Sequence, residues 1–268
     1  MESSEVSFAD TKTLTDQEKK ILENQDSRIV SDFVAKKIEA EVKKNWDLFY
    51  KRNETKFFKD RHWTTREFIE LSGLVLDNER KILLEVGCGV GNLIYPLIEG
   101  SKGNFKVYAC DISPRAVNFL KSHSSYDQER IEAFEADITM QGSLDTVPEV
   151  DLVSLVFVLS AVHPNNFIPV VKNIYNKLKH GGTLVFRDYG RYDMAQLRFK
   201  PGKKISENLY MRQDGTRSYF FTVEELRDLF ESNGFKEVIN TYVHRRTINV
   251  KENVDVPRIF VQAKFVKV

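Results

Sequence analysis

The residues best suited to chemistry lie in Leu83-Leu84-Glu85-Val86-Gly87-Cys88-Gly89-Val90-Gly91-Asn92, where an acid stands two places before three glycines spaced G-x-G-x-G. Glycine is needed where the backbone takes positive φ or where a ligand lies on the main chain, so this turn points to a ligand packed on peptide groups. A dinucleotide loop would read G-x-G-x-x-G, and this one does not. More acids stand at the ends of later apolar runs. Asp111, about 20 residues past the turn, can accept from both hydroxyls of a ribose. Asp137 and Ile138 pair an acid with an apolar neighbour, which suits the exocyclic amine and the face of an adenine. Val156 and Phe157 are candidate walls. Each acid taken alone could be an N-cap or a loop residue; together, at successive run ends, they favour a nucleoside site.

Alternating strands and helices must position these groups. Strands are expected over 81–86, 106–110, 131–136, 150–159 and 183–187, with helices over 92–99, 114–122 and 167–178. Ser113 suits an N-cap and Pro114 a first turn. The run 150–159 is apolar throughout, as a strand buried on both faces would be. Gly181-Gly182 reads as the C-cap of the helix before it. A helix over 223–233 and strands near 237–247 and 258–266 close the chain. This order specifies an α/β fold with a doubly wound, mostly parallel sheet. Residues 1–14 read as a disordered tail and 15–80 as a helical extension, ahead of a catalytic domain over 81–268. In the extension, Thr15 and Glu18 fit a capping box, and a long helix from Ser31 carries Val34, Ile38, Val42, Trp46 and Phe49 on one stripe. Trp46 and Tyr50 share a face, which on spacing alone makes them core anchors. Residues 192–218, basic, aromatic and broken by Pro201-Gly202 and Asp214-Gly215, read as an inserted flap.

The 268 residues carry a formal net charge of +1, so bulk charge announces no polyanionic partner. Its distribution says more. Lys51, Arg52, Lys59, Arg61, His62 and Arg66 interleave with aromatic residues, and Arg198, Lys200, Lys203, Lys204, Arg212 and Arg217 stand in the flap. Single-stranded nucleic acid is held by cations on phosphates and rings on bases, which this mixture suits; a solvated basic helix end is the other reading. Two cysteines without a partner pair or histidine cluster argue against a zinc site or disulfide framework. No apolar run reaches the roughly 18 residues of a membrane span. The acidic N-terminus resembles neither a presequence nor a signal peptide, so a cytoplasmic location, extending to the nucleus, is expected.

The turn with its acid, E-x-G-x-G-x-G, resembles the cofactor loop of class I S-adenosylmethionine methyltransferases, Rossmann-like proteins with a seven-stranded sheet. In such a loop Glu85 would hold the ammonium of the cofactor, directly or through water. Longer runs are similar to a narrower family. Asn45-Trp46-Asp47-Leu48-Phe49-Tyr50-Lys51-Arg52-Asn53, Phe57-Phe58-Lys59-Asp60-Arg61-His62-Trp63, Leu159-Ser160-Ala161-Val162-His163-Pro164, Phe186-Arg187-Asp188-Tyr189-Gly190 and Arg212-Gln213-Asp214-Gly215-Thr216-Arg217-Ser218-Tyr219-Phe220 resemble the eukaryotic tRNA N3-methylcytidine methyltransferases. The similarity runs from Leu14 to the C-terminus.

The resemblance implies methylation of the cytidine at nucleotide 32 of the tRNA anticodon loop. The compact form is most similar to the branch that acts on serine tRNAs with seryl-tRNA synthetase, and a monomer is expected. It further implies that Trp46 and Tyr50 lie over the cofactor, with Glu85, Gly87, Gly89, Gly91, Asp111, Asp137, Ile138 and Val156 as its contacts. Asp188 is the candidate acceptor for the cytosine amine, or else a strand-end cap. Phe186, Tyr189 and His163 are candidates to pack on the base, although His163, ahead of Pro164, equally suits a turn.

Overall fold

A computed structural model describes residues 6–72, 80–100, 105–249 and 254–268. Strand β1 (Val6–Phe8) pairs antiparallel far along the chain, Val6 opposite His244, so a disordered tail over 1–14 is corrected for these residues. Helix α1 (Asp16–Asp26) starts in the expected capping box, Thr15 accepting from the Glu18 amide while Glu18 reaches back. The single long helix expected from Ser31 is instead two, α2 (Asp32–Ala40) and α3 (Val42–Asn53), because Glu41 leaves the helical basin at φ −104°, ψ 15°. The second helix packs Phe49 and Tyr50 against Val90 and Ala116. A short helix, α4 (Thr64–Glu67), follows.

Four parallel pairings build the sheet from β2 (Lys81–Val86), β3 (Phe105–Asp111), β4 (Ile131–Glu135), β5 (Val150–Val156) and β6 (Leu178–Tyr189). Helices α5 (Ile94–Gly100), α6 (Pro114–Lys121) and α7 (Phe167–Lys177) make the crossovers. Alternation sends Val153 and Leu155 into one apolar layer and Leu152 and Val156 into the other. Each fully buried aliphatic side chain of this kind contributes about 1.5–3 kcal/mol, so the central strands anchor everything hung on their ends.

Two of the boundaries that move have a local cause. β5 stops at Val156 because Phe157 takes φ +58°. Gly181 and Gly182 do not cap α7, which runs straight into β6. They make a bulge, with Val150 opposite Leu178 but Leu152 opposite Thr183, and Gly181 has φ +75°.

The insertion folds into α8 (Met194–Leu197) and a small sheet of β7 (Lys204–Ser206), β8 (Leu209–Met211) and β9 (Arg217–Tyr219). It locks onto the N-terminal helices. Gln25, fully buried, donates to Gln196 O (3.0 Å) and Phe199 O (2.9 Å) and accepts from Tyr210 (2.9 Å), while Val30 N donates to Lys204 O (2.8 Å). Extension and insertion, distant in sequence, are therefore one cap. Helix α9 (Val223–Glu231), β10 (Phe235–Asn249) and β11 (Val254–Lys267) complete the chain. The main sheet runs β1-β10-β11-β6-β5-β2-β3-β4, the expected seven strands plus β1. Among the described residues no helix is long and apolar enough to cross a membrane.

Candidate cofactor site

A cavity opens where β2, β3 and β5 end, at the point where the chain switches from building the sheet outward on one side of β2 to the other. Gly87 and Gly89 form its floor with φ +65° and +54°. A Cβ on Gly87 would strike Val158, and one on Gly89 would lie 2.8 Å from the Tyr50 hydroxyl. Gly91, expected to touch the ligand, is not on the cavity; at φ +94° it passes over the Tyr95 ring, where a Cβ has no room, and turns the chain into α5.

The acids divide their work. Asp111 accepts from Gly89 N (2.9 Å) and Ser113 N (2.9 Å), so it shapes the glycine turn while lining the cavity. Burial pushes its carboxyl up to about 6, against the pull of those amides. Glu85 is buried on the cavity wall, and its Oε2 has no hydrogen-bond partner among the described residues. Burial pushes this carboxyl up to about 8; Arg61 opposes that rise and Asp111 adds to it. Such an acid is costly to bury unless something cationic arrives. Asp137 lines the cavity with Ile138 and closes its own turn, Oδ1 accepting from Thr139 N (2.9 Å) and Thr139 Oγ1 (2.6 Å).

Helices α2 and α3 roof the cavity with Glu39, Val42, Trp46 and Tyr50. Asp47 fastens the roof to the floor by accepting from Ser113 Oγ (3.0 Å) and Arg115 N (3.1 Å), and Asn45 fastens it to the insertion at Gly215 O (3.1 Å). The Tyr50 phenol, enclosed here, is pushed up by burial. Glu39 and Val42 were missed from sequence, yet they precede Trp46 and Tyr50 at three- and four-residue spacing and so share their face. Val156 is a correction. The strand ends there with its side chain in the core, and the turn at Phe157 puts Val158 on the wall beside Phe157, the other candidate.

Comparison with known proteins shows the family. Residues 59–239 match the family model described as a methyltransferase domain. Human tRNA N(3)-cytidine methyltransferase METTL6 is 55% identical over 240 residues, covering 88% of this chain and 84% of that protein. The chain belongs to the tRNA N3-cytidine methyltransferases. The fission yeast (Schizosaccharomyces pombe) tRNA N(3)-methylcytidine methyltransferase trm141 is 45% identical over 242 residues, 88% of this chain and 97% of its own. A solved SAM-dependent methyltransferase from Anabaena variabilis shares the fold, with TM-score 0.62 at 11% identity, covering 85% of this chain and 95% of that one. The cofactor of this methyltransferase is S-adenosylmethionine, and the residues fit it: the unpartnered Glu85 oxygen suits an ammonium, and the glycine floor leaves main chain bare.

The residues expected to meet cytidine and tRNA are distributed differently from the sequence reading. Phe186 is fully buried in the core against Phe221 and Phe230, away from the cavity. His163 caps a turn, accepting from Asn165 N (3.2 Å), and does not line the cavity either. Asp188 is fully buried behind the wall, accepting from Ser160 N (2.9 Å) and Tyr189 N (2.9 Å), with its carboxyl pushed up to about 6 by burial. Tyr189 is half-buried, its ring 5.3 Å from that of Phe157.

Two arginines assigned to tRNA phosphates are cavity residues instead. Arg61 donates to Val156 O (2.8 Å), lies 5.3 Å over the Phe157 ring and faces Glu85. Arg217 is buried, donates to Ala161 O (3.1 and 3.3 Å) and pairs with Glu39 of the roof. Composition could not separate them from their exposed neighbours. Lys51, Arg52, Lys59, His62, Arg66, Arg198 and Lys200 are exposed, Lys203 and Arg212 half-buried, and Lys204 pairs with Asp26.

Proposed function

We propose that this methyltransferase acts on N3 of the cytidine at nucleotide 32 in the anticodon loop of serine tRNAs, with seryl-tRNA synthetase as the partner that presents them. What carries the reading is the length and level of likeness to proteins named for tRNA N3-cytidine methylation, across the glycine floor, roof and insertion together. S-adenosylmethionine, when bound, supplies a methyl group activated on a sulfonium. Glu85 holds its ammonium, Asp111 its ribose hydroxyls, and Asp137 with Ile138 its adenine. Trp46 and Tyr50 exclude water from above.

Cytosine N3 has an in-plane lone pair and is largely unprotonated at neutral pH, so no strong base is needed. Catalysis then comes from alignment and from stabilising charge on the ring. Methylation makes the ring cationic, and Asp188, ionised at neutral pH behind Phe157 and Tyr189, supplies compensating negative potential. The base has to leave the loop stack to reach N3. Exposed Lys51, Arg52, Lys59, Arg198 and Lys200 take the phosphates, so affinity falls with salt.

Transfer of labelled methyl to anticodon stem-loop RNAs tests this. A loop with cytidine at nucleotide 32 should accept the label and its uridine counterpart should not. Equal labelling of both would refute the position, and indifference to the synthetase and to tRNA identity would refute the serine assignment.

A further inference from the structure

Among the described residues, the largest fully buried side chain is an arginine with no part in the chemistry above. Arg187, 1% exposed, lies near the end of β6, between Val156 of β5 and Gln262 of β11. Its guanidinium sits 4.4 Å from the Trp63 ring and 5.0 Å from the Phe260 ring. Nη1 donates to Gln262 Oε1 (3.0 Å), its cross-strand neighbour, and pairs with Glu67. Burying such an ion gains little stability over an apolar side chain of the same volume, because desolvation offsets the attraction. The arrangement is directional, however: Trp63 and Glu67 belong to one segment, and Gln262 and Phe260 to β11.

The fixed segment begins with Arg61. That residue is held at its amide by Asn92 O (2.7 Å) and at its guanidinium by Val156 O, over the Phe157 ring, where Glu85, Tyr189 and Asp188 all favour its charge. Arg187 also holds the opposite wall, since its carbonyl accepts from Phe157 N (2.7 Å) at the strained residue beneath the Arg61 guanidinium. We propose that Arg187 is a positioning residue for methyl transfer: its side chain fixes the 61–67 segment and its main chain fixes Phe157, together setting where Arg61 stands between cofactor and base. The inference rests on the cavity being the cofactor site.

Arg187→Met combined with Glu67→Met removes both charges of the pair and tests the role. The double variant should keep a cooperative thermal transition, because apolar replacement of a buried pair is tolerated. It should lose about tenfold to a hundredfold in kcat, the scale set by small misplacement of a positioned group. A purely structural role would leave one further readout untouched. Arg61 holds the Glu85 carboxyl down, so its displacement should move the acid limb of S-adenosylhomocysteine affinity to higher pH by about 0.5 or more. Wild-type kcat together with an unmoved acid limb would overturn the proposal.

Should the double variant lose its transition, Arg187→Lys carries the same test. Lysine keeps the charge and the Glu67 pairing but cannot stack flat between two rings. A moved acid limb supports the proposal and an unmoved one overturns it. Failure of the wild-type protein itself to bind S-adenosylhomocysteine would overturn the cofactor reading first, and this inference with it.

Discussion

Cofactor affinity should follow a bell-shaped dependence on pH, and Glu85 sets its acid side. With its carboxyl at about 8 in the open cavity, about 1% is ionised at pH 6 and about half at pH 8. The α-amino group of the ligand titrates near 7.7–8.0 and must carry its proton to pair with that acid. The product of the two ionised fractions peaks near pH 8. It is about 20-fold smaller at pH 6, where the affinity of S-adenosylhomocysteine should be weaker by the same factor. Asp111, at about 6, steepens the fall below that point. Titration calorimetry in buffers of different ionisation enthalpy counts the protons. About one should be released per ligand near pH 6, as Glu85 gives up its proton to pair with the ammonium. Glu85→Gln should bind more weakly and lose the fall between about pH 8 and 6, keeping only the one that Asp111 sets below. An affinity flat between about pH 6 and 8, or binding that releases no proton, would refute the reasoning.

Further outcomes follow from the same geometry. The folded state holds the Glu85 proton more tightly than the unfolded chain, so stability of the ligand-free protein should fall as pH rises from about 4.5 to about 8. Glu85→Gln should accordingly raise its Tm at pH 8. Gly87→Ala, forced to keep φ +65° with its Cβ against Val158, should cost about 1–3 kcal/mol and abolish detectable cofactor binding; thermal melts with and without ligand read both effects. Arg217→Ala removes the tie between insertion and roof. It should weaken cofactor binding as well as RNA binding, with stability falling by about 1–3 kcal/mol; calorimetry that finds only RNA affinity changed would return Arg217 to the phosphates. Removing Lys51, Arg52 and Lys59 together should lower the slope of log affinity for stem-loop RNA against log salt by about 0.7 for each phosphate they neutralise, leaving cofactor affinity near wild type.

Much of the site was legible because its signals are local. Glu85, Gly87, Gly89, Asp111, Asp137 and Ile138 sit where strands end, and strand ends follow from apolar runs broken by glycine or acid. The failures occurred where tertiary contact overrides a local pattern. Val156 turned into the core and Val158 joined Phe157 on the wall because one residue of positive φ breaks the alternation of the strand. Gly181-Gly182 carries the composition of a helix cap, but register with β5 makes it a bulge. Arg61 and Arg217 looked like their exposed neighbours, since burial of a guanidinium depends on distant acids and carbonyls that spacing does not reveal. The pairing of β1 with β10 is long-range in the same way, with no local signature in a short acidic N-terminus.

The central claim is that the cavity roofed by Trp46 and Tyr50 holds S-adenosylmethionine and delivers its methyl group to a cytidine of tRNA. Nucleoside mass spectrometry of tRNA incubated with the pure protein and methyl-labelled S-adenosylmethionine, with and without seryl-tRNA synthetase, tests it most directly. The account predicts labelled N3-methylcytidine, greatest with the synthetase present and absent with Gly87→Ala. Label in a different nucleoside, or none in tRNA under any of these conditions while the protein binds the cofactor, would contradict it.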